Sequence, residues 1–189
     1  MAIGLALALI FNAATANAQV RWQSGPSATP DKTPAEARAA LAAFSMRSNA
    51  RHVVIQFAQA VTPNQRAALG KAGLTLLNYL GDHAYFASTP AKGALDPNAL
   101  AAVPTLIDAR AIQREWKLDP RIPAGNYPDF AIGVDPDTNV VLAAAYIVFH
   151  RDVVLDGAGA DIVRRHGAAI VGRMASINSL VIELPRANL

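Results

Sequence analysis

A chain of 189 residues is long enough for one ordinary domain or two small ones. Hydrophobic residues make up 52% of it, but alanine supplies much of that fraction, so any core is expected to be modest. A formal charge of +3 with no Lys/Arg block argues against a nucleic-acid surface, and the absence of Cys excludes disulfides, thiolate metal sites and a cysteine nucleophile.

Ala2 to Phe11 is an apolar stretch too short to cross a bilayer as a helix. Ala16-Asn17-Ala18 follows it as a small-x-small cleavage pattern, so residues 1–18 read as a signal peptide cut between Ala18 and Gln19. No Lys or Arg precedes the apolar run, which places the true start upstream or at a different methionine. The product is expected to be secreted or periplasmic, with no stable membrane span after signal removal. Residues 19–50 are expected to be a linker and a short helix. Val20 to Lys32 shows no periodicity, whereas Thr33-Pro34-Ala35-Glu36 is a capping box with Pro at the first helical position. That helix should run to about Met46, with Leu41 and Phe44 on one face.

Residues 51–113 read as a first module of order βαββαβ. His52 to Phe57 is a β-branched apolar run suited to a central strand. Thr62-Pro63-Asn64-Gln65 opens a helix that stops at Gly73, with Leu69 and Ala72 inward and Arg66 and Lys71 outward. Leu74 to Leu80 and His83 to Ser88 flank Gly81-Asp82, read as a tight antiparallel turn. Asp96-Pro97 caps a second helix through Val103, and Leu106 to Ile112 is the last strand. This order is that of a ferredoxin-like unit, one sheet with both helices on one face.

A connector, residues 114–138, is rich in Pro, Asp and Gly; its Trp116, Tyr127 and Phe130 are expected to anchor parts of it. The second module, residues 139–189, repeats the first in order. Both have an apolar run ending in Phe (Phe57, Phe149), a helix ending at Gly (Gly73, Gly167) and two short apolar runs leading to Pro (Pro90, Pro185). A repeat of this length indicates one supersecondary unit used twice. Val140 to Phe149 is the strand and Asp156 to His166 the helix, with Gly157 and Gly159 weakening its start. Ala168 to Met174 and Ser179 to Leu184 form the hairpin. The fold class is α+β: two tandem ferredoxin-like modules, the second truncated after βαββ, without the final helix and strand.

The run VIQFAQAVTPNQRAALGKAGLTLLNYLGDHAYFAS resembles the N-terminal, propeptide-like region of bacterial secreted subtilisin-like serine peptidases. The block YIVFHRDVVLDGAGADIVRRHGAAIVGRMASINSLVIELPRANL is similar to a second such module in the same proteins. The resemblance covers roughly residues 51–189. It implies a propeptide that assists folding of a peptidase domain and temporarily inhibits it. The catalytic domain is not in this sequence: it has no Asp-Thr-Gly, His-Gly-Thr or Gly-Thr-Ser-Met-Ala segment, where that family places its catalytic residues.

The remaining polar residues carry little chemistry. His52, His83, His150 and His166 have no ligand spacing, and they read as surface or half-buried side chains rather than metal or catalytic ones. Ser176 and Ser179 flank Asn178 in a turn, with no Gly-x-Ser-x-Gly elbow. Asp129, Asp135 and Asp137 form an acidic cluster read as a solvated loop. No catalytic, cofactor or metal site is expected. Asp82, at the first hairpin turn, is a candidate for a partner helix N-terminus, against the simpler reading of turn chemistry. Three functions remain: the peptidase propeptide, a stand-alone exported inhibitor or peptide-binding module, and a hydrolase relying on His150 and Asp152. The first is the expected one, with the peptidase domain as partner in cis or trans.

Overall fold

The computed structural model describes residues 19–22, 25–28, 32–47, 51–90 and 94–189. The expected signal peptide, with Ala16 and Ala18, lies outside the described residues, while Gln19 opens the first strand. Among the described residues the fold is α+β, with two four-stranded antiparallel sheets and four α-helices. No described helix is long and apolar enough to cross a membrane.

Within the segment read as a linker without periodicity, β1 (Gln19–Trp22) pairs antiparallel with β2 (Gly25–Ala28). Two apolar residues of β1 hold it in place. Val20 is fully buried, and Trp22 stacks on Trp116 with ring centroids 4.5 Å apart. Long-range packing therefore overrides a sequence with no local period. The helix that follows, α1 (Pro34–Ser45), begins with both arms of the capping box: Thr33 N donates to Glu36 Oε2 at 2.7 Å and Glu36 N to Thr33 Oγ1 at 3.3 Å. Its Ala37, Leu41 and Ser45 are buried at a spacing of one helical turn.

The first large sheet is built from β3 (His52–Phe57), β4 (Thr75–Gly81), β5 (Ala84–Ser88) and β6 (Leu106–Ala111), with helices α2 (Pro63–Lys71) and α3 (Pro97–Ala101) between them. Spatial order is β4-β5-β3-β6 and every pairing is antiparallel. Alternate residues of β3, namely Val53, Ile55 and Phe57, pack with Leu69, Leu100, Leu106 and Leu41 in one buried cluster. Each such side chain contributes roughly 1.5–3 kcal/mol by leaving water. The hairpin between β4 and β5 turns at Asp82-His83 rather than Gly81-Asp82. Both residues have positive φ, 45° and 58°, the geometry of the two-residue turn that matches strand twist.

The second half supplies β7 (Ile132–Val134), β8 (Val141–Val148), α4 (Ala160–Arg165), β9 (Ala169–Met174) and β10 (Ser179–Pro185), ordered β7-β8-β10-β9. The turn 155–159 before α4 is wide: Gly159 N reaches back to Val154 O at 3.0 Å, and Gly157 leaves helical geometry.

The two halves share more than order. Gly73 and Gly167 both take positive φ two residues past the last residue of a helix. The next residue in each case donates back five positions: Leu74 N to Leu69 O at 2.9 Å and Ala168 N to Val163 O at 3.3 Å. Phe57 N bonds His83 O at 3.1 Å, and Phe149 N bonds Asn178 O at 2.9 Å.

The halves differ at one edge. In the first sheet β6, last in its module, lies against β3. In the second the same place beside β8 is taken by β7, which comes from the segment expected to be connector. The second sheet thus takes its fourth strand from before β8.

The helix-free faces also differ. In the first sheet it carries Val54, Gln56, Ala84 and Asp108, all fully buried. Asp108 is held by Lys32 Nζ at 2.6 Å and Arg110 Nε at 3.0 Å, and Trp116 lies under the Arg110 guanidinium at 5.3 Å. In the second sheet the corresponding face presents Tyr146 and Val148, each 64% exposed, with Met174 beside them.

Candidate functional site

The polar ends of the two equivalent strands meet. His52 opens β3, and His150 lies just past β8. Their rings stack with centroids 4.2 Å apart, and Phe86 of β5 meets the His150 ring edge-on at 4.7 Å. His52 Nε2 lies 2.9 and 3.0 Å from the two carboxylate oxygens of Asp152. The loop after β8 is pinned from behind. Asn178, in left-handed geometry, donates from Nδ2 to His150 O at 2.7 Å and to Val153 O at 3.1 Å. Burial pushes the His150 imidazole down to about 4; proximity to His52 and Lys117 adds to this and Asp152 opposes it.

This cluster joins two modules whose residues are about a hundred positions apart in sequence. Its pairing also departs from the hydrolase reading, since Asp152 engages His52 rather than His150. A base held by a carboxylate needs an aligned nucleophile for acyl transfer. Among the described residues no Ser or Thr hydroxyl is hydrogen-bonded to either ring. As arranged, the cluster is a joint.

Beside the joint a cleft of about 1330 Å³ opens between the sheets. Its walls include Asn78, Tyr79 and Phe86 from the first sheet, Tyr146 and Val148 from the second, the Ser176–Asn178 turn, and Trp116 and Lys117 from the connector. The connector packs here as its aromatic residues suggested for Trp116, and Tyr127 lies under Arg186 at 5.3 Å. Phe130, in contrast, is 89% exposed.

The other singled-out residues sit elsewhere. His83 forms the tip of the first hairpin and His166 caps the end of α4. Ser179 is buried, and Ser176 lies in the turn before β10. Asp135 accepts from the backbone of Asp137 and Thr138 at 2.9 Å each, which lowers its pKa, the Thr138 contact most of all. Among the described residues no group of three or more His, Cys, Asp or Glu is placed to hold a metal ion. Asp82 is exposed at the hairpin tip, and its carbonyl accepts from Gln56 Nε2 at 2.9 Å.

Sequence reasoning missed the Lys32–Asp108–Arg110 group and the Trp22–Trp116 stack. A signal for the first was available: Asp108 and Arg110 stand two apart in an otherwise apolar strand, hence on one face.

A family described as Domain of unknown function (DUF8729) matches residues 11–114, a span that ends just beyond β6. No curated protein and no solved structure matches the chain.

Proposed function

The chain belongs to the DUF8729 family, and from that premise we propose that it is a non-catalytic module that binds another polypeptide. In this reading it acts as folding assistant and temporary inhibitor of a secreted subtilisin-like serine peptidase. The observation that carries the reading is the bare helix-free face of the second sheet, where Tyr146, Val148 and Met174 stand exposed next to the cleft. Clustered apolar exposure of this kind is what a protein-docking surface needs. The corresponding face of the first sheet is filled by Val20, Trp22 and Trp116, so it does not serve. Further support comes from the strand order β4-β5-β3-β6 with helices between, the arrangement of a ferredoxin-like unit. The echo of the same hydrogen bonds in the second half supports reading both halves as one unit used twice.

The physical case is linkage. A module that binds only the folded peptidase stabilises it by mass action, and one contact then both assists folding and blocks the substrate cleft. The test refolds a subtilisin-like catalytic domain from denaturant with and without this chain in trans. The expected result is a higher yield of active enzyme after the chain is removed, and inhibition while it is present. The Tyr146→Asp/Val148→Asp variant should lose both effects. No gain and no inhibition from the wild-type chain would refute the reading.

A further inference from the structure

We propose that the cleft between the two sheets is a binding site for an acidic polypeptide segment. The inference rests on the reading of this region as a polypeptide site, but not on a peptidase being the partner.

Charge carries the argument. Arg114, Lys117 and Arg151 line the cleft and are exposed. Among the described residues none of the three takes part in an ion pair. The one carboxylate side chain in the lining, Asp119, is already committed. It accepts from Arg121 Nε at 3.1 Å, Nη2 at 2.8 Å and the Arg121 backbone at 2.9 Å, contacts that lower its pKa to about 2. The side chains lining the cleft therefore include three cations outside any ion pair among the described residues, around an apolar floor. A low-dielectric wall focuses such a field onto whatever enters.

Shape and aromatic geometry select the class of anion. At about 1330 Å³ the space exceeds what a single small molecule fills. A single-stranded nucleic acid would need open ring faces for its bases. Trp116 is engaged by Trp22 and by Arg110, and Phe86 by His150 and Trp22. Tyr146, exposed beside Val148, adds an apolar ring and a hydroxyl, which suit a peptide with alternating apolar and carboxylate side chains. Such a segment can lay its apolar side on Val148 and Tyr146 while its carboxylates face the cations.

The experiment titrates the full chain into a fluorescein-labelled decapeptide of alternating Glu and Leu, read by anisotropy. Trp116 in the cleft wall and Trp22 stacked on it, the protein's two tryptophans, supply an independent fluorescence signal. Matched peptides with Gln or Lys in place of Glu, and a ten-nucleotide oligothymidylate, are run alongside. The acidic peptide should bind more tightly than the Gln peptide, the Lys peptide should bind least, and added salt should weaken the acidic complex. The triple variant Arg114→Gln/Lys117→Gln/Arg151→Gln should weaken it about tenfold or more, as three rim charges of ordinary strength imply, with an unchanged circular-dichroism melt. Lys117→Glu should shift preference toward the Lys peptide. Equal binding of the acidic and Gln peptides, an unchanged affinity in the triple variant, tighter binding of the oligonucleotide, or no binding of any probe would each overturn the proposal. Failure of peptidase refolding alongside intact acidic-peptide binding would remove the peptidase and keep the cleft. The reverse pattern would remove the cleft and keep the peptidase.

Discussion

Gly73 and Gly167 occupy the same place past their helices, with φ of +90° and +73°, yet their surroundings differ. A Cβ on Gly73 would stand 3.0 Å from Pro90 Cβ and Cγ, while one on Gly167 would meet nothing within 4 Å. Both Ala variants incur the left-handed penalty of about 1–2 kcal/mol, and only Gly73→Ala adds a clash. Urea unfolding should therefore show Gly167→Ala losing about 1 kcal/mol and Gly73→Ala roughly twice that. Equal losses would mean that Pro90 gives way. Asp108 is a second residue where one change decides the outcome. It is fully buried between Lys32 and Arg110, and desolvation already lowers the pKa of Arg110. Asp108→Asn leaves two cations sharing a buried neutral amide, and the expected loss is about 3 kcal/mol, far more than for Lys32→Gln. Comparable losses for the two variants, measured by denaturant titration, would contradict this account.

Elements whose causes are local were legible in the sequence. The capping boxes at Thr33 and Thr62, the central strand His52–Phe57 and the glycine helix stops all depend on neighbours a few residues away. The β1–β2 pairing was not legible, because Trp22, which anchors it, finds its partner Trp116 across most of the first module. Strand β7, three residues with a central glycine, was hidden for the same reason: its pairing with β8 fixes it, not its composition. The joint between His52, His150 and Asp152 could not be read from spacing, since it exists only once the two strands are aligned. That joint predicts a pH response. The folded state holds His150 near 4 against an unfolded value of 6.5, so the unfolded chain binds more protons between those values. Its contribution is complete above about 6.5 and is lost as pH falls toward 4. The groups facing the ring are His52, Asp152 and Lys117, and a charged imidazole would stand against two of them as like charges. Melting temperature should fall between pH 7 and pH 4.5, and His150→Phe should flatten that fall. An equal slope in both proteins would rule the imidazole out as the cause.

At the scale of the whole molecule, the two sheets are unequal. The first core combines Phe57, Ile55, Leu41, Leu69, Leu74, Leu100 and Leu106, with three helices over one face and the hairpin over the other. The second relies on Leu155, Val163, Leu180, Ile182 and Leu184 with the single short α4. Less apolar area leaving water means a smaller opening free energy for that half. Amide hydrogen exchange should therefore be faster in β8 and β10 than in β3 and β5, and occupancy of the cleft should slow it. Equal protection in the two sheets would show that the joint couples them into one cooperative unit.

The edge strands β6 and β7 carry one more consequence. Each lies antiparallel against the opening strand of its module, but β6 arrives last in the chain and β7 first. Leaving α3 aside, which has no counterpart among the described residues of the second half, the strand orders of the two sheets are thus circular permutations of one another. Ala111 at the end of β6 sits opposite Val53 near the start of β3, as Val134 sits opposite Val141. The Asp135–Val140 loop, closed by Asp135 N to Val140 O at 2.9 Å, is a ready-made connection of the length required. A first module recut so that β6 leads into β3 through a copy of that loop should therefore keep its sheet. In this architecture the polypeptide can be opened at the β3–β6 edge without altering which strands are neighbours.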